Sequence, residues 1–186
     1  KLRFIIIFLA ILGLLIPLGW NFLRDYQRDR IMVFLNPNID PLGAGYTIIQ
    51  SKIAIGSGGF FGKGWLSGTQ SQLKFLPESH TDFIFATFSE EWGFLGAMVL
   101  MGLYFFIVLQ GIKTAQRTSD HYGSLLALGI TLMFCIQACV NIAMTMGLAP
   151  VVGLPLPLMS YGGSSVLVTF IGLGIVANVS KTRAVF

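Results

Sequence analysis

Charged residues are scarce in this sequence. Only 11% of the 186 residues are charged, whereas 54% are hydrophobic and the mean hydropathy is +0.77. Soluble domains carry roughly 25% charged residues, so this composition excludes an ordinary soluble domain and predicts an integral membrane protein. In a membrane protein, the net charge of +4 has to be interpreted by asking on which side of the membrane each charged residue lies. It does not indicate a nucleic-acid partner.

Cysteine is also rare. The two residues of this type, Cys135 and Cys139, lie four positions apart inside an apolar segment. This spacing places both thiols on one helix face, but it lacks the CxxC pairs or the neighbouring histidine of a metal site. We interpret both as small apolar packing residues.

Long apolar runs dominate the sequence instead. They cover about 4–22, 83–112, 125–148 and 164–180, each close to the roughly 20 residues that cross a bilayer. The short flanks of these runs are basic, with Lys1, Arg3, Lys113, Arg117, Lys181 and Arg183. The positive-inside rule places these flanks and both termini on the cytoplasmic side. The expected fold class is an all-α polytopic membrane protein with about four transmembrane helices.

A long polar segment, 24–82, separates the first two spans and is expected on the extracytoplasmic side. It is rich in glycine but carries apolar residues throughout, so we expect an ordered, functional loop. Within it, 48–55 is apolar enough for a short helix on or in the membrane surface. The glycine-rich run 56–64 predicts turns and a close backbone approach.

A cluster of ionisable residues marks the beginning of the second span. Glu78, His80 and Asp82 precede it, and Glu90 and Glu91 follow Asp82 by about two helical turns. Uncompensated charge at membrane depth is costly and is kept mainly for function, so we expect Asp82 to be functional. Its carboxylate can act as a general base that accepts a hydroxyl proton as that oxygen attacks.

Structural roles compete for the other members of this cluster. Glu78 could instead cap the incoming helix, and His80 could simply hydrogen-bond the loop. Glu90 and Glu91 could pair with basic groups inside the bundle, or they could hold a metal ion or take part in catalysis. The sequence leaves these alternatives open.

Two features of the later sequence point to the same side of the membrane. Gln137, Asn141 and Thr145 form one polar stripe on the third span, for which interhelical hydrogen bonding is favoured over substrate contact. The segment 149–165 then contains three prolines and predicts a re-entrant, non-helical turn. Such backbone at membrane depth must be buried in protein or line a polar cavity.

The loop, Asp82 and the proline-rich turn together predict a cavity that opens to the outer leaflet. Its carboxylates, its imidazole and the loop residues Lys52, Lys63 and Lys74 suit an amphiphile with an anionic head group. If the leaving group is a pyrophosphate, it needs no protonation near neutral pH. One base and nearby positive charge, from side chains or a divalent metal, can therefore suffice.

Five stretches of sequence, 36–46, 50–59, 62–64, 76–86 and 157–165, occur in an order that resembles the SEDS proteins of bacteria, and in particular their RodA branch. The resemblance covers essentially the whole chain. It implies the C-terminal four of about ten membrane spans, their largest extracytoplasmic loop, and a location in the bacterial inner membrane. We therefore expect this chain, which begins at Lys1, to be a fragment of a longer protein.

The resemblance implies a peptidoglycan glycosyltransferase that polymerises lipid II in cell-wall synthesis, with undecaprenyl pyrophosphate as the leaving group. Asp82 matches the family's essential loop aspartate and would be the base for the acceptor sugar's 4-hydroxyl. A divalent cation, Mg or Mn, and a class B penicillin-binding transpeptidase partner are also implied. The candidate metal ligands are Glu90 and Glu91. The candidate substrate-binding residues are Glu78, His80, Thr81, Gln50, Lys52, Ser160, Tyr161 and Ser164.

Val152 stands where many FtsW proteins, the septal relatives, carry a lysine, so a role in elongation and rod-shape maintenance is favoured over division. Because the family places further polar residues on earlier spans, we expect the fragment alone to be inactive. Two other functions compete with the enzyme. One is a lipid II translocator, or flippase, which would carry charges along the depth of several helices. The other is a scaffold of the elongation machinery.

Overall fold

The structure, a computed structural model, describes residues 22–40, 43–73 and 75–181. Every regular element in these ranges is helical, with no strand among them. The helices are α1 (Asp25–Leu35), α2 (Ala44–Ser57), α3 (Thr69–Gln72), α4 (Ile84–Arg117), α5 (His121–Thr145) and α6 (Gly163–Lys181), and a 3₁₀ turn, Pro37–Ile39, follows α1. The predicted all-α fold class is confirmed.

Helices α4, α5 and α6 are long and apolar enough to cross a membrane. They lie where the second, third and fourth spans are predicted, although α4 continues beyond 112 and α5 begins before 125 and ends before 148. The chain is therefore a polytopic membrane protein. The first predicted span, 4–22, lies outside the described residues except for its last position, Phe22. The basic residues Lys1, Arg3, Lys74 and Arg183 also lie outside them.

Helix α4 bends at Gly93, whose φ of 65° and ψ of −165° interrupt the helical geometry. A positive φ of this kind favours glycine, which has no Cβ. The bend divides α4 into a first arm, 84–92, and a second arm, 94–117. Phe85 and Tyr104 belong to one buried cluster, yet a straight helix would separate them by roughly 28 Å along its axis. The first arm therefore folds back toward the second.

The glycine-rich loop after α2 is joined to this bend through its backbone. Lys63 N donates to the Glu90 carbonyl at 3.0 Å, and Phe94 N donates to the Gly59 carbonyl at 2.9 Å. The approach is so close that a Cβ on Gly62 would collide with the helix backbone. The close approach predicted for this loop is confirmed. Its backbone satisfies hydrogen-bonding groups that the bend removes from α4.

Small side chains let the three long helices approach closely at the end opposite the loop. Thr131 of α5 lies so close to Gly111 of α4 that a Cβ on this glycine would not fit. Ala115, Ala127 and Val176 form a buried cluster that joins α4, α5 and α6. Packing of this kind holds membrane helices together where the hydrophobic effect between helices is absent.

Candidate active site at the turn before α4

The residues before α4 form a compact turn, 77–83, that carries four of the predicted site residues. Glu78 has a left-handed φ of 55°, and its carbonyl accepts hydrogen bonds from Thr81 N at 3.1 Å and Phe83 N at 3.2 Å. Thr81 Oγ1 also donates to Glu78 Oε2 at 2.8 Å. Glu78 thus closes the turn. The N-cap of α4 is Phe83, so the alternative role of Glu78 as its cap is not observed.

The proline-rich segment lies directly against this turn. Ser160 Oγ donates to the Thr81 carbonyl at 2.6 Å, and Tyr161 N donates to the His80 carbonyl at 2.8 Å. Residues 150–156 have no regular secondary structure, as predicted for a re-entrant segment. The structure therefore brings five predicted substrate-binding residues together next to Asp82: Glu78, His80, Thr81, Ser160 and Tyr161.

The polar stripe of α5 supports both the turn and the proline-rich segment. Asn141 is 0% exposed, and its Nδ2 donates to the Asp82 carbonyl at 2.9 Å and the Leu154 carbonyl at 2.6 Å. Gln137 Nε2 donates to the Pro155 carbonyl at 3.1 Å. These two residues thus make structural hydrogen bonds, but their acceptors lie in non-helical backbone, whereas the interhelical interpretation predicts acceptors on a neighbouring helix; each satisfies backbone that no helix satisfies. Their acceptors could not be predicted from the spacing of the stripe.

The Asp82 side chain is half-buried and lies near Gly153, where a Cβ would come within 3.3 Å of Oδ2. Burial raises the pKa of Asp82 above its ordinary value of 3.8. The charge of Glu78 raises the pKa further, and the charge of Arg30 lowers it, with a net upward shift. Arg30, whose Nη1 donates to the Val151 carbonyl at 2.9 Å, was missed in the sequence. Its only signal there is a positive charge in the polar loop.

A cavity of about 690 Å³ opens beside the turn. Its polar lining includes His80, Ser160 and the 83% exposed Tyr161, and its apolar lining includes Leu158 and Val166. A few polar groups on a mostly apolar wall are typical of small-molecule sites. The arrangement suits an amphiphile whose head lies at the turn and whose tail lies along the apolar wall.

Three predicted substrate-binding residues are placed elsewhere. The Lys52 side chain on α2 packs against Gly147, so closely that a Cβ on Gly147 would collide with it. Gln50 is half-buried on the same helix, and Ser164 is exposed in the first turn of α6. In the described part of the chain, no hydrogen bond joins any of the three to the turn. Their roles stay predictions.

Glu90 has a fully buried side chain, and its oxygens already have several donors. Oε1 pairs with Lys63 Nζ at 2.7 Å and accepts from Thr69 N and Oγ1, each at 2.9 Å. Gln70 N donates to both oxygens at 3.2 Å. This geometry favours the structural alternative, an ion pair inside the fold, over a metal-binding role. Glu91 is half-buried beside it, and its role as a metal ligand stays a prediction.

Known proteins identify the family. The profile of the FtsW/RodA/SpoVE family, described as "Cell cycle protein", matches residues 1–185. The chain belongs to this family. Peptidoglycan glycosyltransferase MrdB of Escherichia coli strain K12 is 52% identical over 182 residues, which are 97% of this chain and 49% of the relative. Peptidoglycan glycosyltransferase RodA of Treponema pallidum is 48% identical over 166 residues, which are 89% of this chain and 38% of the relative.

A solved structure agrees with the family. It is described as "Structural coordination of polymerization and crosslinking by a peptidoglycan synthase complex" and matches with a TM-score of 0.73 at 38% identity. The match covers 99% of this chain and 50% of that chain. The resemblance to the FtsW/RodA/SpoVE proteins is confirmed, and this member spans about half the length, or less, of the relatives it matches.

Proposed function

We propose that this FtsW/RodA/SpoVE chain supplies the catalytic base, Asp82, of a peptidoglycan glycosyltransferase that polymerises lipid II during cell elongation. The position of Asp82 carries the proposal. Its backbone is bonded to Asn141, its turn is joined to the re-entrant segment by Ser160, and a cavity of about 690 Å³ lies beside the turn. The relatives' names, peptidoglycan glycosyltransferase, supply the reaction class.

Asp82 acts as a general base in this proposal. Its carboxylate accepts the proton of the acceptor sugar's 4-hydroxyl as that oxygen attacks the anomeric carbon of the donor sugar. The new glycosidic bond forms while the bond from that carbon to the pyrophosphate breaks, and the configuration inverts. Undecaprenyl pyrophosphate departs with the electron pair and needs no protonation near neutral pH. The raised pKa of Asp82 makes it a stronger base than an exposed aspartate.

Residues around Asp82 bind and orient the substrate. His80 and Tyr161 face the cavity, where they can contact the sugars. Arg30 is close enough to lower the pKa of Asp82, so its guanidinium suits the pyrophosphate. Lys52 is a second exposed cation besides Arg30 and lies on α2. Helix α2 belongs to the polar loop 24–82 and packs on α4 and α5.

A divalent cation, Mg or Mn, is part of the proposal. The described residues contain no group of three or more His, Cys, Asp or Glu side chains suited to a metal, and Glu90 is paired with Lys63. Mg²⁺ is often bound through one or two carboxylates together with substrate phosphates. Glu78, whose charge acts on Asp82, is the carboxylate that fits this pattern best. When bound, the cation would neutralise charge on the departing pyrophosphate.

The partner and the orientation in the membrane follow from the same proposal. A class B penicillin-binding transpeptidase is the partner, which is supported by a solved relative that is described as a synthase complex for polymerization and crosslinking. The membrane is the bacterial inner membrane, with the termini cytoplasmic and the loop 24–82 outside. Lys113 and Arg117 at the end of α4 and Lys181 at the end of α6 support this orientation through the positive-inside rule.

The distribution of charge favours the enzyme over the translocator. No Asp, Glu, Lys or Arg occurs between His121 and Ser180, which includes all of α5 and nearly all of α6. A translocator built from broken helices would be expected to carry charges along the depth of several of them.

The test is polymerisation of fluorescent lipid II by the complete protein with its transpeptidase partner. Asp82→Asn should keep the fold and lose long glycan strands, whereas Asp25→Asn, at an exposed carboxylate of α1, should keep full activity. Removing divalent cations should lower the wild-type rate. Equal product from Asp82→Asn and wild type would overturn Asp82 as the base. Unaltered cell shape and growth after alanine replacement of every polar residue from Glu78 to Asp82 would favour the scaffold.

A further inference from the structure

A second cavity lies at the opposite end of the long helices from Asp82. It has a volume of about 430 Å³ and is formed between α4 and α6. Phe106 and Ile107 of α4 and Leu173 and Val176 of α6 line its inner part. These residues belong to the apolar, membrane-spanning parts of the two helices, so this half of the cavity suits a hydrocarbon chain.

The lining changes from apolar to cationic toward the helix ends. Lys113 and Arg117, four residues apart on one face of α4, line the cavity together with Thr114, and Ser180 faces them from α6. Both cationic residues are exposed. Two positive charges at this edge match the oxygens of a phosphate group. The hydroxyls of Thr114 and Ser180 donate to the Gln110 and Ala177 carbonyls of their own helices, at 2.9 and 2.7 Å, so the two cations supply the recognition.

Neither cation is neutralised by an acidic side chain of the described residues. The ion pairs among these residues involve Asp25 and Glu90, which are far away along the chain. Asp120 is the nearest carboxylate in sequence, and it accepts from Tyr122 N at 3.2 Å and Gly123 N at 2.9 Å as the N-cap of α5. The positive charge of Lys113 and Arg117 therefore remains available to a ligand.

We propose that this cavity binds an anionic membrane phospholipid, with its phosphate at Lys113 and Arg117 and an acyl chain along Phe106 and Leu173. Charge and polarity are arranged along the helices in the same order as in such a lipid, from the head group at the membrane edge to the chain inside. A free phosphate would leave the apolar half of the cavity empty, so we commit to the lipid. The site is separate from Asp82 and does not depend on the function proposed for it.

The test uses the complete protein in nanodiscs that contain equal amounts of phosphatidylglycerol and phosphatidylethanolamine, followed by native mass spectrometry of the retained lipids. The wild type should retain phosphatidylglycerol preferentially. The double variant Lys113→Gln, Arg117→Gln should lose this preference by about tenfold, because each basic residue at an anionic membrane surface favours binding. Lys181→Gln removes a cation at the same end of the bundle that does not line the cavity, and should keep the preference.

An unchanged preference in the double variant would overturn the proposal. So would a wild type that retains no phosphatidylglycerol, which would mean that another part of the complete protein fills the cavity. If the double variant does not fold, Ala177→Phe supplies a second test because it fills the cavity without changing charge, and it should also abolish the preference. Displacement of the lipid by millimolar glycerol phosphate alone would identify a soluble phosphate site and contradict the role of the apolar half.

Discussion

Replacing Asn141 with alanine is expected to slow glycan polymerisation through its effect on Asp82. The change removes hydrogen bonds of 2.9 Å to the Asp82 carbonyl and 2.6 Å to the Leu154 carbonyl. Hydrogen bonds inside membrane bundles contribute about 0.6 to 1.7 kcal/mol each, so unfolding should become easier by about 1 to 3 kcal/mol. A displacement of about 1 Å at a reacting group can lower a rate about 100-fold. We expect kcat to fall at least about tenfold, and KM to change less because Asn141 is fully buried.

Gln137→Ala is the matched control for this prediction. It removes the bond to the Pro155 carbonyl, one residue further along the same segment, but leaves the bond to Asp82 intact. Both variants are assayed with fluorescent lipid II in the complete protein with its partner, and thermal unfolding in the same detergent reports the fold. Equal losses of kcat in both variants, or a wild-type kcat for Asn141→Ala, would refute the argument that Asn141 positions Asp82. The isosteric Asn141→Asp leaves no cavity but can keep at most one of the two donors, as a protonated carboxyl, and should also be slower than wild type.

The remaining predictions concern pH and the bend. Because Asp82 must be ionised to act as the proposed base and its pKa is raised, the rate should fall as pH drops through that raised value. Arg30→Gln removes the charge that lowers the pKa, so the acid limb of the kcat/KM profile should move to higher pH, and a move to lower pH would contradict the assignment. A carboxyl group whose pKa is raised by folding stabilises the folded state at pH values below its unfolded-state pKa, and this stabilisation is lost as pH rises through its folded-state pKa. At neutral pH, Asp82→Asn should therefore be no less stable than wild type, as measured by thermal unfolding. Gly93→Ala should destabilise the protein by at least about 1 kcal/mol, since a φ of 65° strains alanine. Gly102→Ala, where a Cβ has nothing within 4 Å, should be neutral or stabilising by up to about 1 kcal/mol, and equal melting temperatures for the two alanine variants would argue against a required bend.

The bend at Gly93 shows where local sequence patterns lose their power. An apolar run long enough to span a membrane predicts a helix at 83–112, and α4 is there. Nothing in that run indicates that Gly93 is bent, because glycine is also tolerated in straight membrane helices. The bend is supported by backbone hydrogen bonds with Gly59, which accepts from Phe94 N, and with Lys63, which donates to the Glu90 carbonyl; both belong to a different part of the chain. Such a contact has no local pattern that could predict it.

The candidate site shows the same division. Asp82 could be predicted because an unpaired carboxylate at membrane depth is expensive, and its neighbours Glu78 and His80 follow from adjacency. Arg30 could not, because its contact with Val151 joins positions 121 residues apart. The stripe on α5 predicts interhelical hydrogen bonds, whereas Asn141 bonds the Asp82 carbonyl in the turn before α4, a contact that depends on the tertiary fold. Residue type thus predicts which groups cost free energy when they are buried without a partner, and the tertiary fold determines which residues those groups contact.

The hydrogen bond between Asn141 and the Asp82 carbonyl also places Asp82 at a definite height along helix α5. Asn141 lies roughly 30 Å along α5 from His121 at 1.5 Å per residue, and the hydrocarbon layer of a bilayer is about 30 Å thick. With His121 placed at one boundary of that layer, Asp82 is level with the other boundary, which in the proposed function is the plane where a polyprenyl chain ends and its pyrophosphate begins. At this height both lipid-linked sugars could reach the carboxylate by sideways diffusion, and neither carrier would have to be lifted out of the membrane for the bond to form.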